Sequence, residues 1–142
     1  MSEPLVFLPG LMCDARLFLP QILGLGATRT VTVAPVTGGE RVEEIASALI
    51  PHLPPRFALA GLSMGGIVAM EILRRAPERV SRLALMDTDP LGETPEAAAW
   101  REPLIVKARA GQLEEAVAAV LRPDHLAPGP QRFAVLDTVR EM

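Results

Sequence analysis

The chain has 142 residues, 49% of them hydrophobic, and a net charge of -3, which allows one ordinary core and excludes a disordered chain. Its 14 basic residues, arginine throughout except Lys107, are scattered, so the stripe that a nucleic-acid surface needs is missing. No apolar run nears the ~20 residues of a membrane span, Met1-Ser2-Glu3-Pro4 has nothing of a secretion signal, and the single Cys13 cannot close an internal disulfide. These features predict a cytoplasmic protein without nucleic-acid or membrane partners. With aromatics at 4% and no tyrosine, aliphatic side chains must make the core.

In chain order, Leu5-Val-Phe-Leu8 is a short apolar run stopped by Pro9-Gly10 and reads as a fully buried strand. Asp14 can cap a short helix carrying Leu17, Phe18 and Ile22. Thr30–Ala34 is a second, β-branched strand. From Arg41 the apolar residues Val42, Ile45, Ala46, Leu49, Ile50 and Leu53 recur every three or four positions, which marks an amphipathic helix ended by Pro54-Pro55. Phe57–Ala60 is a third strand, broken by Gly61. The next helix shows Met64, Ile67, Val68 and Ile72 on one face; Arg74-Arg75 suit its negative end, and Pro77 closes it. Leu83–Met86 is a fourth strand.

Strands and helices that alternate through short connections predict βαβ units and a parallel sheet covered on both faces. The pattern changes at Pro90. Thr94-Pro95-Glu96 is a helix start, with Pro at the first helical position, and Ala-rich helices are expected over 95–110, 112–121 and 130–142. The expected division is a sheet core over 1–90 and a helical segment over 91–142.

Gly61-Leu62-Ser63-Met64-Gly65 fits G-x-S-x-G and is followed by Gly66. The string is short and could be a glycine-rich turn with an incidental serine. Its setting, between a buried strand and a helix, is what gives it meaning. Reversing from strand to helix within a few residues forces Ser63 toward positive φ. Neighbouring elements pass so close that side chains at 61 and 65 would clash. The turn lifts Ser63 Oγ above the sheet and aims the Met64 N–H, at a helix N-terminus, at the same point. Acyl transfer needs two donors for its oxyanion. Pro9-Gly10-Leu11-Met12 follows the first strand, and the Leu11 N–H is the candidate for the second donor.

Leu5 to Phe18, Gly-Leu-Ser-Met-Gly-Gly and Leu-Ala-Leu-Met-Asp-Thr together resemble the N-terminal half of an α/β-hydrolase, of the small esterase type that includes pimeloyl-carrier methyl esterases. The resemblance covers residues 5–89 well and the remainder loosely. It implies an α/β-hydrolase-type parallel sheet flanked by helices and followed by a partial helical cap. It also implies Ser63 as nucleophile, with Leu11 and Met64 as backbone oxyanion donors. In that family a His-Gly pair often precedes the donor; here Pro9 stands in place of the histidine, which leaves the backbone donor intact. The resemblance further implies that Leu5–Leu8 lies between Thr30–Ala34 and Phe57–Ala60, with Leu83–Met86 outermost. That apolar outer strand predicts a tendency to self-associate through an exposed sheet edge.

Enzymes of this kind take their acid and histidine from loops after later strands. His52 ends an amphipathic helix, and His125 falls in a helical region before any further strand. Asp87 ends the fourth strand and could serve as an acid in a variant arrangement, but reads first as a structural turn; Asp89-Pro90 reads as a plain turn. No triad is assigned. The helical run breaks off at Arg140-Glu141-Met142 with no stop signal, so the expectation is a piece of a longer hydrolase whose histidine and acid lie beyond it. The substrate expected is a small-molecule ester or acyl compound, with no cofactor and no metal. Acyl transfer, C–C hydrolysis and haloperoxidation share the constellation. The alternative of a different class is a truncated binding protein that keeps the elbow without turnover. Nucleotide-binding readings fail: Gly24-Leu-Gly26 lacks the third glycine, and no Gly-Lys pair exists for a P-loop.

Overall fold

A computed structural model describes residues 2–142. The chain divides into two compact units, one ending at Pro90 and the other running from Leu91 to Met142.

The first unit is built on four parallel strands: β1 (Leu5–Leu8), β2 (Val31–Val33), β3 (Phe57–Leu62) and β4 (Val80–Met86), in the order β2-β1-β3-β4. Three helices accompany them: α1 (Leu19–Leu25), α2 (Val42–Leu49) and α3 (Met64–Arg75). Alternation along the strands sorts side chains onto two faces. Val6, Leu8, Phe57 and Leu59 join Ile45 and Ala46 of α2 and Val68, Ala69 and Ile72 of α3 in one cluster. Phe7 and Ala60 join Phe18 on the other face, with Leu17, Ile22 and Leu25 against them. Phe7 and Phe18 stack with ring centroids 4.5 Å apart. Because both faces are covered, β1 reads as an unbroken apolar run. Burying a side chain such as Leu8 or Phe57 contributes about 1.5–3 kcal/mol.

Local chemistry sets the element ends. Asp14 accepts from the Arg16 N–H at 2.8 Å and opens a 3-10 turn over Ala15–Phe18 that leads into α1. The Glu44 carboxylate reaches back to the N–H groups of Glu40 and Arg41, at 3.0 and 3.3 Å, and caps α2.

Three details differ from the sequence expectation. β3 continues through Gly61 to Leu62, since a ladder needs only the glycine's backbone, and Gly61 pairs with Leu8 and Leu85. β4 starts at Val80 rather than Leu83. The register shifts there, leaving Ser81 as the extra residue, and its hydroxyl donates to Phe57 O at 2.9 Å. The longer strand brings the exposed Arg82 onto the sheet edge beside Leu83 and Leu85, which are 36% and 42% exposed, so that edge carries a charge of the kind that deters pairing. Finally, Ile67 is 39% exposed, because α3 meets the sheet through Gly65, Val68, Ala69 and Ile72.

The second unit contains α4 (Pro95–Arg109), α5 (Leu113–Val120) and α6 (Arg132–Arg140), and no strand among the described residues. Thr94 caps α4, accepting from the Ala97 N–H at 3.2 Å, and Gly111 at φ 83° follows its end. Lys107 and Glu115 pair at 3.1 Å between α4 and α5. Only Ala116 and Leu136 are buried in this unit, while Leu91, Trp100 and Phe133 are exposed. No described helix is long and apolar enough to cross a membrane.

Candidate active site

Ser63 sits between the last residue of β3 and the first of α3, at φ 50° and ψ -116°. This is the positive-φ strand-to-helix turn expected from the sequence. Holding a non-glycine residue there costs on the order of 1–3 kcal/mol and requires support from its surroundings. The support is visible on both sides of the residue. Its N–H donates to Met86 O at the end of β4, at 2.9 Å. Its carbonyl accepts from the Thr88 hydroxyl at 2.7 Å and from the N–H groups of Gly66 and Ile67 at 2.9 and 3.3 Å.

The elbow glycines are demanded by close approach. A Cβ on Gly65 would lie 2.5 Å from Pro9 O and would also overlap Leu8 O; one on Gly61 would be 2.6 Å from the Gly65 carbonyl carbon. A Cβ on Gly66 would lie 2.6 Å from the Thr88 side chain. Gly10 lies against the turn, its Cβ position 3.7 Å from Ser63 Cβ, and Leu11 and Met12 follow it, exposed, with Met12 at φ 60°. The expected oxyanion loop and the elbow are therefore neighbours. The N–H of Met64 opens α3, where no intrahelical acceptor exists for it.

The four serines differ in what their hydroxyls do. Ser2, Ser47 and Ser81 donate to the carbonyls of Thr28, Glu43 and Phe57 at 2.6, 2.7 and 2.9 Å. Ser63 is exposed, and among the described residues its Oγ has no hydrogen-bond partner. The other nucleophilic side chain of this region, Cys13, is half-buried; burial first, and then the Asp14 charge, pushes its thiol pKa up and keeps it protonated. Of these two groups, the Ser63 hydroxyl is the one left exposed and unbonded among the described residues.

The histidines are placed differently. His52 ends a 3-10 turn before β3, toward the N-terminal end of that strand, and the length of β3 puts it roughly 20 Å from Ser63. His125 belongs to the second unit, in a 3-10 turn over Pro123–His125. Asp87 follows β4 at φ 44° and forms a strained turn. The sequence reading missed Thr88. Its signal there was faint: a hydroxyl residue just after an apolar strand. An open depression of about 650 Å³ lined by Glu3, Thr28, Arg29 and Arg56 lies at the strand N-termini, away from Ser63.

A parallel sheet with this order, a serine elbow after its third strand and helices on both faces define the α/β-hydrolase fold. The chain has that fold and resembles the N-terminal half of the superfamily's small esterases. No model of a protein family matches it. It is 37% identical over 92 residues to the pimeloyl-[acyl-carrier protein] methyl ester esterase of Aromatoleum aromaticum, a match covering 64% of this chain and 34% of that protein. The esterase of the same name from Vibrio parahaemolyticus is 35% identical over 81 residues, covering 54% and 30%. The matches thus span about a third of the length of these relatives. Among solved structures, the enol-lactonase from Burkholderia xenovorans superposes with a TM-score of 0.81 at 24% identity, covering 99% of this chain and 59% of that one. A thermophilic esterase from Thermogutta terrifontis gives 0.78, also at 24% identity, covering 99% and 57%. Both structures support the fold.

Proposed function

We propose that this chain carries the nucleophile and oxyanion half of a serine hydrolase acting on a carboxylic ester or thioester. Ser63 Oγ attacks the acyl carbon. The N–H groups of Met64 and Leu11 take the charge that develops on the carbonyl oxygen, and the alcohol or thiol leaves with a proton. Water then cleaves the acyl-Ser63 ester and releases the acid. The observation that carries this proposal is Ser63 itself: an exposed hydroxyl with no partner among the described residues, held at φ 50° where strand meets helix. A methyl ester of an acyl chain is the substrate class in keeping with the name of the relatives, pimeloyl-[acyl-carrier protein] methyl ester esterase.

The proton of Ser63 needs a base. His52 stands toward the N-terminal end of β3, away from Ser63, and the base and its acid are proposed to come from residues beyond these 142. Triad members act as a unit, and losing one costs on the order of 10⁴–10⁶ in rate. Hydrolysis of p-nitrophenyl acetate by residues 1–142 is therefore expected to be slow, abolished in Ser63→Ala and retained in His125→Ala. Turnover that survives Ser63→Ala would remove the nucleophile assignment. Fast turnover lost in both variants would put the base in the second unit. Binding without any acylation would favour the alternative of a non-catalytic relative.

A further inference from the structure

The geometry points to Thr88 as a positioning residue for the nucleophile elbow, a role that rests on the proposed hydrolase function but is carried by its own contacts. Ser63 occupies backbone space that only its surroundings can enforce. Two of those surroundings come from the end of β4. Met86 O accepts the Ser63 N–H at 2.9 Å, and the Thr88 hydroxyl donates to the Ser63 carbonyl at 2.7 Å. The β4 end therefore grips the peptide units on both sides of Ser63. Asp87, between the two, is itself at φ 44°, which is the local strain that brings the Thr88 hydroxyl round to the elbow.

The side chain of Thr88 also touches the helix that the elbow launches. A Cβ at Gly66 would fall 2.6 Å from Thr88 Cβ and from its hydroxyl oxygen, so the absence of a side chain at 66 makes room for the threonine. Gly66 thus has a reason distinct from that of Gly61 and Gly65, whose missing side chains admit backbone. The Ser63 carbonyl also accepts the first helical N–H groups of α3, from Gly66 and Ile67. Fixing that carbonyl fixes the pitch of the first turn, and with it the direction of the Met64 N–H offered to an oxyanion. Thr88 touches no substrate. It acts through the orientation of Ser63 and Met64.

Residues 1–142, with Thr88→Val, Thr88→Ser and Thr88→Ala, test this. Valine keeps the shape and loses the hydroxyl; serine keeps the hydroxyl and loses the methyl. Amide exchange of the Ser63 N–H, followed by NMR, is expected to speed up roughly three- to tenfold in Thr88→Val, the worth of one intramolecular hydrogen bond, and to stay near wild type in Thr88→Ser. Amides of β1 should exchange alike in all three. If Thr88→Val does not fold, the contrast between Thr88→Ser and Thr88→Ala carries the same comparison. Unchanged Ser63 exchange without the hydroxyl, equal loss in the serine variant, or uniform loss through β1 would each overturn the assignment. In parallel, the rate of Ser63 phosphonylation by a fluorophosphonate should fall by a similar factor in Thr88→Val and recover in Thr88→Ser. If wild-type Ser63 does not react at all, the nucleophile assignment fails, and the exchange comparison still decides Thr88.

Discussion

The two ends of the sheet are built in opposite ways. At the strand N-termini, side chains and neighbouring carbonyls take up backbone groups. The Arg79 guanidinium donates to the carbonyls of Ile50, Leu53 and Pro54 at 3.0, 2.6 and 2.8 Å and lies over the Phe57 ring. The Leu5 and Ala58 N–H groups are taken up by Thr30 O and Pro4 O, both at 2.9 Å. At the C-termini the backbone is strained instead. All three positive-φ residues other than glycine among the described residues, Met12, Ser63 and Asp87, follow β1, β3 and β4 there. A glycine whose added Cβ would strike the carbonyls of Leu8 and Pro9 lies beside them. One end stores stability and the other spends it on placing a hydroxyl, which is where ligands bind in open α/β sheets.

Breaking the strained end should have the largest effect. Gly65→Val drives a branched side chain into the carbonyls of Leu8 and Pro9, and a loss of more than about 4 kcal/mol in chemical denaturation is expected. Full stability in that variant would refute the close-approach account of the elbow. Next is the relaxed end. Arg79→Ala leaves three carbonyls without their donor and should cost about 2–3 kcal/mol, with Ser63 reactivity unchanged once the protein is folded. Ser63→Gly reverses the sign. It removes both the hydroxyl and the φ penalty, so a gain of about 1 kcal/mol is expected together with complete loss of acylation. A destabilised Ser63→Gly would mean that the turn holds no strain.

The smallest effect lies away from both ends. The Glu71 carboxyl on α3 is held down at about 2 by hydrogen bonds from Arg74 and then Arg75. A carboxyl depressed by folding stabilises above its ordinary value of 4.5, and the contribution fades as pH falls toward 2. Glu71→Gln should therefore show a small deficit at neutral pH that closes between pH 4.5 and 2, read from denaturation midpoints across that range.

Much of the relaxed architecture was legible because burial on both faces writes strands as apolar runs. Leu5–Leu8 and Phe57–Ala60 could hardly be anything else, and the elbow announced itself through glycines that only tight contact explains. The start of β4 was hidden because Ser81 and Arg82 interrupt its apolar run, the first at a bulge and the second on an open edge. Gly61 read as a breaker because its role is to admit Gly65 and Gly66 while its backbone stays in the ladder. Thr88 was beyond reach for another reason. Its partner lies 25 residues away, and only the β3–β4 pairing brings the two together.

Site-mapped phosphonylation tests the central claim most directly. Residues 1–142 are treated with a fluorophosphonate, and the adducts are located by peptide mass spectrometry. Oxyanion donors and a free hydroxyl retain part of a hydrolase's advantage even without its base, a residual ~10³–10⁴ over water. Slow modification confined to Ser63, absent from Ser2, Ser47 and Ser81 and from Cys13, is expected. Adducts spread evenly over the serines, or concentrated on Cys13, would contradict the assignment of Ser63 as the nucleophile.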